Sequence, residues 1–435
     1  ADAIQNSGLP LPIVLGLIVL FSALLNLFVG SASAKWALLA PVLVPMLMLL
    51  GISPEGATAA YRVGDGATNI ITPLMVYFPL ILVFARRWQS DFGLGSLTAM
   101  MIPYSVWMLI TGVALMMGWI FLGLDFGFNV VVAEELAYAG SSAGITLQND
   151  ITAEYIEVYG SPEQHDKYLP KMVSGECITA IAMTEPGTGS DLQGIRTTAR
   201  KDGNHYIING SKTYITNGQN ADVIIVAAKT NPELGAKGVS LILVDADTAG
   251  FKRGRNLDKI GQHSADTSEL FFEDVRVPIS NCLGQEGQGF IYLMSQLPQE
   301  RLSIAVSAQA AAQRAFDEAV SFTKERQAFG QAVFQFQNTK FTLADMKSQL
   351  QVGWAHLDWA INRHLAGVLT TAEASAAKQW HTDMQGRVID MALQLHGGAG
   401  YMNEYMVARL WRDARGTRIF GGTNEIMKEV VSRSL

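Results

Sequence analysis

Met183-Thr184-Glu185-Pro186-Gly187-Thr188-Gly189-Ser190-Asp191 lies inside a run of short strands and decides how the chain around it is read. Its closely spaced glycines invite a dinucleotide-binding reading. The third glycine of a GxGxxG is Leu192 here, and no long helix follows, so a Rossmann site is not expected. On its C-terminal side, Val223–Ala228, Val239–Val244 and Leu270–Val277 read as short strands. Within Tyr206–Lys212, Asn209-Gly210 reads as the type I′ turn of a hairpin. On its N-terminal side, Asn129–Tyr138 and Ala143–Tyr159 read as helices. From Pro298 onward long helices take over. Leu343, Met346, Leu350, Trp354, Leu357, Ile361 and Leu365 recur at helical steps, as in a bundle-facing stripe. Pro298 suits a helix start, which places Glu300 in a first turn. Helices, a β block and then a helical bundle make an α+β order.

Charge changes abruptly further upstream. Residues 1–124 carry four of the 32 Lys/Arg (Lys35, Arg62, Arg86, Arg87) and four of the 39 Asp/Glu. All seven histidines and both cysteines fall after them. Leu9–Val29 is uncharged and about 31 Å long as a helix, enough to cross a hydrocarbon core. Leu97–Leu124 is also uncharged. Between them, Trp36–Ile52 and Ile70–Ala85 are shorter and interrupted by Pro41, Pro45, Pro73 and Pro79, as broken or re-entrant segments are. Arg86-Arg87-Trp88 reads as an interfacial anchor on the cytoplasmic side.

Net charge −7 and the lack of basic runs argue against nucleic-acid binding. Cys177 and Cys282 stand outside any metal spacing and read as free thiols. No metal site is expected: there is no HExxH, and His356 and His364, eight apart on a helix, read as interhelical polar contacts. Gly397-Gly398-Ala399-Gly400 lacks a phosphate-loop context, and there is no Walker loop.

Three separate stretches carry a resemblance. Met183–Asp191 is similar to the signature of the acyl-CoA dehydrogenase family. So are Arg326-Gln327-Ala328-Phe329-Gly330 with Gln337, and Gln394-Leu395-His396-Gly397-Gly398 continuing to Arg412-Asp413 and Ile419-Phe420-Gly421-Gly422-Thr423-Asn424-Glu425-Ile426. The resemblance spans residues 122–435. It implies an acyl-CoA dehydrogenase-like α+β fold: a truncated N-terminal helical part (125–178), a middle β-barrel domain (179–285) and a C-terminal four-helix bundle (286–435). An all-α transmembrane segment (1–124) precedes it. That segment, through Ser31–Pro41 and Tyr61-Arg62-Val63-Gly64-Asp65, resembles the C-terminal portion of the AbgT family of aminobenzoyl-glutamate transporters. Trp36, Pro54, Arg62 and Asp65 then lie at a substrate pathway, where a charged pair needs a polar cavity. Helices that normally open the dehydrogenase family are replaced by transporter-like sequence, so the chain reads as a fusion.

The dehydrogenase resemblance implies α,β-dehydrogenation of acyl-CoA thioesters with FAD, a step of fatty-acid β-oxidation. That chemistry needs a carboxylate base in an apolar pocket, hydrogen-bond donors for the thioester oxygen, and a flavin to take the hydride. Many members place the base at the position of Gly421. The long-chain and isovaleryl-CoA branches carry it at the start of a bundle helix, and Leu297-Pro298-Gln299-Glu300-Arg301 matches that pattern, so Glu300 is the implied base. Gly421 supplies a backbone N–H to the thioester oxygen, and Ser190, Arg301 and Phe420 face the substrate. The flavin rests on Met183, Thr184, Tyr214 and Thr216, with Gly189 and Ser190 close to its pyrophosphate and Thr423 and Glu425 beside it. Arg326, Phe329, Gln337, Gln394 and Gly398 hold the adenosine half across a subunit interface. A homodimer or homotetramer and reoxidation by an electron-transferring flavoprotein follow. The expected location is an inner membrane through residues 1–124, with the enzyme part cytoplasmic, or the cytoplasm if the first quarter does not insert. The alternatives are a transporter fragment carrying an inactive dehydrogenase domain, and a non-catalytic flavin-fold protein, against which Glu300 argues.

Overall fold

The computed structural model describes residues 11–26, 93–122 and 126–435, together with 39, 60–61, 63–64, 67–68, 82 and 85. The chain forms two compact units, Ala1–Leu124 and Asp125–Leu435.

In the first unit, α1 (Leu11–Asn26) and α2 (Leu94–Leu122) carry no charged residue. Helix α1 buries Val14, Ile18, Val19 and Ala23 and exposes Ile13, Leu17, Leu20, Phe21 and Leu24. Polar side chains tie the helices to Tyr61, Ala67 and Thr68. Ser22 Oγ donates to the Tyr61 carbonyl (2.8 Å), Asn26 Nδ2 to Thr68 Oγ1 (3.0 Å) and Ser105 Oγ to the Ala67 carbonyl (2.6 Å). Gly64 permits the close approach: a Cβ there would lie 2.2 Å from the Val19 carbonyl oxygen. Small residues and buried hydroxyl bonds of this kind join helices where no hydrophobic force drives association. Gly95–Ala114, 20 residues of mean hydropathy 1.5, is the one helix among the described residues long and apolar enough to cross a membrane. Trp36, Pro54, Arg62 and Asp65, the Arg86–Trp88 anchor and most of the two Pro-interrupted segments lie outside the described residues.

The second unit opens with α3 (Phe126–Tyr138), a π-helical turn (Leu147–Thr152), α4 (Ala153–Tyr159) and α5 (Pro162–Ser174). Helix α5 starts at a capping box between Ser161 and Gln164 and stops at Gly175, which is left-handed (φ 78°). Seven strands follow: β1 (Thr179–Ala182), β2 (Thr198–Asp202), β3 (His205–Thr216), β4 (Val223–Lys229), β5 (Val239–Asp245), β6 (Phe251–Asn256) and β7 (Thr267–Pro278). They form one branched sheet in the order β1-β4-β2-β3-β7-β6, with β5 antiparallel to β4. Strands β4 and β5 are buried on both faces, one against Ile208, Leu270 and Phe272, the other against Tyr155, Ile156 and Leu293. That double burial explains why they read as unbroken apolar runs.

Two expectations are corrected here. Asn209-Gly210 does not turn a hairpin; it is a bulge within the 12-residue strand β3, where the register to β7 shifts. Glycine is needed because a Cβ would lie 2.3 Å from Thr197 Oγ1, and Asn209 stitches the bulge by accepting from the Asp274 N–H. The hairpin turn sits earlier, at Gly203-Asn204 between the paired Asp202 and His205. Pro298 does not start a helix either. Helix α6 runs from Gly289 to Glu325 and carries Pro298 in its interior, so Glu300 lies three turns in. A proline inside a helix forfeits one backbone bond, and burial of the helix on both sides of it offsets the loss.

The bundle is built from α6, α7 (Gln337–Leu365), α8 (Thr371–His396), α9 (Met406–Thr417) and α10 (Asn424–Ser432). Leu343, Met346 and Leu350 of the predicted stripe meet Ala312, Ala315 and Ala319 of α6, Met384 and Val388 of α8, and Leu410 of α9. Ala133 of α3 packs on Leu302, Val306, Leu357 and Ala377. His356 stacks on His381 of α8 at 5.4 Å, an interhelical contact as its position suggested.

The Met183–Asp191 loop is pinned by one buried ion pair. Lys212 Nζ on β3 donates to Glu185 Oε1 (2.9 Å) and to the Met183 carbonyl (3.0 Å), and Glu185 also accepts from the N–H groups of Arg196 and Thr197. Burial pulls Lys212 down to about 8 despite Glu185. Removing one partner of such a pair strands a buried charge, so Lys212→Met is expected to lower stability by about 3–5 kcal/mol. Thermal unfolding of the detergent-solubilised chain, paired with the Lys212→Met/Glu185→Gln double variant recovering part of the loss, checks it.

Candidate active site

Glu300 is 4% exposed, and its Oε1 accepts a hydrogen bond from Tyr155 Oη at 3.0 Å. Tyr155, itself fully buried on α4, belongs to the apolar cluster that includes Met183, Tyr159, Tyr292 and Leu293. Burial pushes the Glu300 carboxyl up to about 7, against the pull of Tyr155 and of Arg301. Asp150, in the π-helical turn, is a second buried carboxyl. It accepts from Ser303 Oγ (2.9 Å), while Gln299 Nε2 donates to its carbonyl (3.3 Å), so both flanks of Glu300 are tied to that turn. Burial pushes Asp150 up to about 7 as well, against the Ser303 bond and assisted by Glu154.

Over the same stretch of α6 lies the Gly421-Gly422 turn, with φ of 64° and 92°. A Cβ on Gly421 would sit 2.4 Å from Ile304 Cδ1, so Ile304 fills the space where another residue 421 would place its side chain. Arg301 is buried beneath the turn, with Nε 3.5 Å from the Gly421 carbonyl and Nη1 donating to Ser375 Oγ (3.0 Å). It was expected to face substrate; it faces the turn. Phe420 is exposed. Thr423 caps α10, its Oγ1 accepting from the Ile426 N–H, and Glu425 is exposed in the first turn.

Met183, Thr184, Tyr214 and Thr216 form a shelf on the sheet. Thr213 N–H donates to the Thr184 carbonyl (3.0 Å), joining Met183-Thr184 to the Tyr214–Thr216 segment. Met183, Thr184 and Thr216 are half-buried, whereas Tyr214 is 69% exposed with φ 59°. Ser190 is exposed, and a Cβ on Gly189 would meet only Thr184 Cγ2, at 3.9 Å. A bare aromatic beside open glycine backbone fits the flat ring and pyrophosphate of FAD.

Arg326, Phe329, Gln337, Gln394 and Gly398 gather elsewhere. Phe329 tips a two-strand hairpin, β8 (Gln327–Ala328) and β9 (Gln331–Ala332), and is 96% exposed. Phe322 of α6 stacks on His396 of α8 at 4.3 Å, which holds the Arg326 and Gln394 ends together. Helix α6 separates Glu300 from Arg326 by 26 residues, about 39 Å at 1.5 Å per residue. One chain therefore holds the buried Glu300 on the helix that runs beneath the Gly421-Gly422 turn, and keeps the Arg326 group apart from Glu300. Tyr155, Asp150 and Lys378, treated below, were not foreseen. A lysine amid Ala374, Ser375, Ala376 and Ala377 was the one available signal, since small neighbours mark a buried helix face.

A helical–sheet–helical unit with a buried carboxylate and an open aromatic shelf defines a flavin-dependent oxidoreductase. Models of the acyl-CoA dehydrogenase N-terminal, middle and C-terminal domains match residues 111–176, 180–275 and 287–435. The long-chain specific acyl-CoA dehydrogenase of Sus scrofa is 49% identical over 317 residues, 72% of this chain and 74% of that protein. The crystal structure of an acyl-CoA dehydrogenase from Geobacillus kaustophilus matches with TM-score 0.71 and 52% identity, over 72% of this chain and 83% of that one. A structure titled PigA with FAD and proline matches with TM-score 0.68 and 31% identity, over 70% and 81%. The chain belongs to the acyl-CoA dehydrogenase family, an FAD-dependent family of oxidoreductases. The AbgT putative transporter family model matches residues 1–133, overlapping the dehydrogenase match at 111–133.

The two raised carboxyls make stability depend on pH. An acid whose folded pKa is raised stabilises fully below its unfolded value, near 4, and loses that contribution as pH climbs through about 7. The melting temperature is expected to fall between about pH 4 and 7.5, and to fall less in Glu300→Gln and Asp150→Asn. Calorimetry of the three proteins checks this; parallel declines would contradict it.

Proposed function

We propose that residues 125–435 catalyse α,β-dehydrogenation of an acyl-CoA thioester with Glu300 as the base. The observation that carries this reading is the buried Glu300–Tyr155 pair, one residue before Arg301, whose guanidinium meets the Gly421 carbonyl. A carboxylate held near neutrality is ionised often enough, and basic enough, to take a weakly acidic α-proton. Tyr155 holds Glu300 in one orientation and donates to its charged form. The Gly421 N–H donates to the thioester oxygen as negative charge grows there. The Met183–Thr216 shelf would hold FAD, which would supply the acceptor for the hydride of Cβ. Thr423 and Glu425 stand on its side of the turn, and Ser190 and Phe420 line the approach of the substrate.

The distance between Glu300 and Arg326 supports a homodimer or homotetramer in which Arg326, Phe329, Gln337, Gln394 and Gly398 serve a partner's FAD. An electron-transferring flavoprotein is the proposed oxidant, and β-oxidation the proposed setting. Working divisions are a helical part at 125–178, a β domain at 179–285 and a bundle at 286–435. The apolar helix and the AbgT match point to membrane association; we place the enzyme part on the cytoplasmic side of an inner membrane.

Glu300→Gln is expected to lower turnover by at least a thousandfold while leaving flavin absorbance intact. Substantial residual turnover would remove Glu300 from the role. Tyr155→Phe is expected to raise the pH at which kcat/KM reaches half its maximum, because the lost bond favoured the charged carboxylate.

A further inference from the structure

Lys378 lies on α8 with no exposed surface and no salt bridge among the described residues. Its Nζ donates to the Gly422 carbonyl (2.7 Å) and to Asn424 Oδ1 (2.9 Å). Asn424, also buried, is fixed in turn by donating to Asp383 Oδ1 (3.0 Å) and Thr382 Oγ1 (2.9 Å). Arg301, the second buried cation, reaches the carbonyl next door, that of Gly421. Two like charges are thus buried side by side under one turn, facing peptide oxygens. Burial and the Arg301 charge bring Lys378 down to about 8, against Asp383 and Glu425. Such an arrangement costs stability, because each cation is desolvated without a direct counter-charge.

The geometry of the turn shows what the cations accomplish. In a trans peptide the N–H points opposite to the carbonyl of the preceding residue. With the Gly421 and Gly422 carbonyls drawn inward, the N–H groups of Gly422 and Thr423 are turned away from the cations. Among the described residues, the N–H groups of Gly421, Gly422 and Thr423 make no hydrogen bond; the next one, of Asn424, goes to the Arg418 carbonyl. Successive free donors at a helix start, backed by fixed positive charge, suit a small anionic oxygen.

We infer that Lys378, together with Arg301, is a positioning residue for the dehydrogenation: it clamps the Gly421-Gly422 turn so that its N–H groups meet the thioester oxygen, and its buried charge favours the enolate that forms there. This rests on the reading of Glu300 as base and of the Gly421 turn as the thioester site; the clamped carbonyls set the N–H groups of Gly422 and Thr423 directly, and hold that of Gly421 only through the turn. No new bond is made by Lys378; the α-proton goes to Glu300, and the charge that builds on the thioester oxygen is discharged as the hydride leaves Cβ, whereas on a substrate with no such hydride it remains.

A 3-oxoacyl-CoA is a suitable probe, because its α-proton is acidic while its Cβ has no hydride to give. Ultraviolet absorbance of the enolate against pH, on the flavin-loaded full chain, reads the pKa of the bound probe. Lys378→Gln keeps a donor to the Gly422 carbonyl but removes the charge. It is expected to raise the bound pKa by about one unit or more, a tenfold loss of enolate, and to lower kcat with little change in KM. Lys378→Arg is expected to restore most of both. A bound pKa unchanged in Lys378→Gln would overturn the inference. If that variant does not fold, Ser375→Ala, which frees Arg301, carries the test: an upward shift supports the inference and no shift overturns it. Failure of the underlying base assignment shows separately, as turnover of acyl-CoA by Glu300→Gln.

Discussion

One rigid element, the 37-residue helix α6, imposes the constraint on which the enzyme unit depends. It leaves the sheet at Gly289, passes beneath the Gly421-Gly422 turn with Glu300 and Arg301, and ends at the Phe329 hairpin. Its N-terminal half carries the buried Glu300, and its C-terminal end leads into the exposed Phe329 hairpin. Because a helix does not fold back on itself, the proposed roles of the two halves assign them to different flavins. That length argues for assembly into an oligomer.

Around Glu300 the structure trades stability for chemistry. A fully buried carboxyl near neutrality, a second one at Asp150, and two buried cations under a glycine turn are each unfavourable as packing. They converge on one region, between α4, α6, α8 and the late turn. On the proposed reading, the carboxyl is raised by burial where a proton would be taken, and positive charge is concentrated where a negative oxygen would form. Strong shifts of opposite sign in one place are the mark of a site organised for proton transfer. By contrast, the Lys212–Glu185 pair anchors a loop and is neutralised locally.

Much of this was legible in the residues, and the rest was not for identifiable reasons. The α+β order followed from apolar periodicity, which reports burial directly. The apolar helix of the first unit followed from its lack of charge. Asn209-Gly210 misled because a bulge and a type I′ turn use the same local residues; only the approach of Thr197, on another strand, tells them apart. Pro298 misled because the true start at Gly289 has no capping side chain, leaving the proline as the stronger local signal. The capping box of Ser161 and Gln164 was readable and marks α5, which the periodicity had left unassigned. Tyr155 had no signal, since its value lies in meeting Glu300 across 145 residues of chain. The association of Arg301 with the turn, and not with substrate, likewise depends on a contact spanning 120 residues.

Residues 125–435 are proposed to bring a flavin and an acyl-CoA together in working geometry while attached to a transporter-like segment. The visible spectrum of the detergent-purified full chain, taken anaerobically before and after a long-chain acyl-CoA is added, tests it most directly. The account predicts a flavin band that bleaches on addition. A protein without a flavin band, or a band that stays unchanged with substrate, would contradict it.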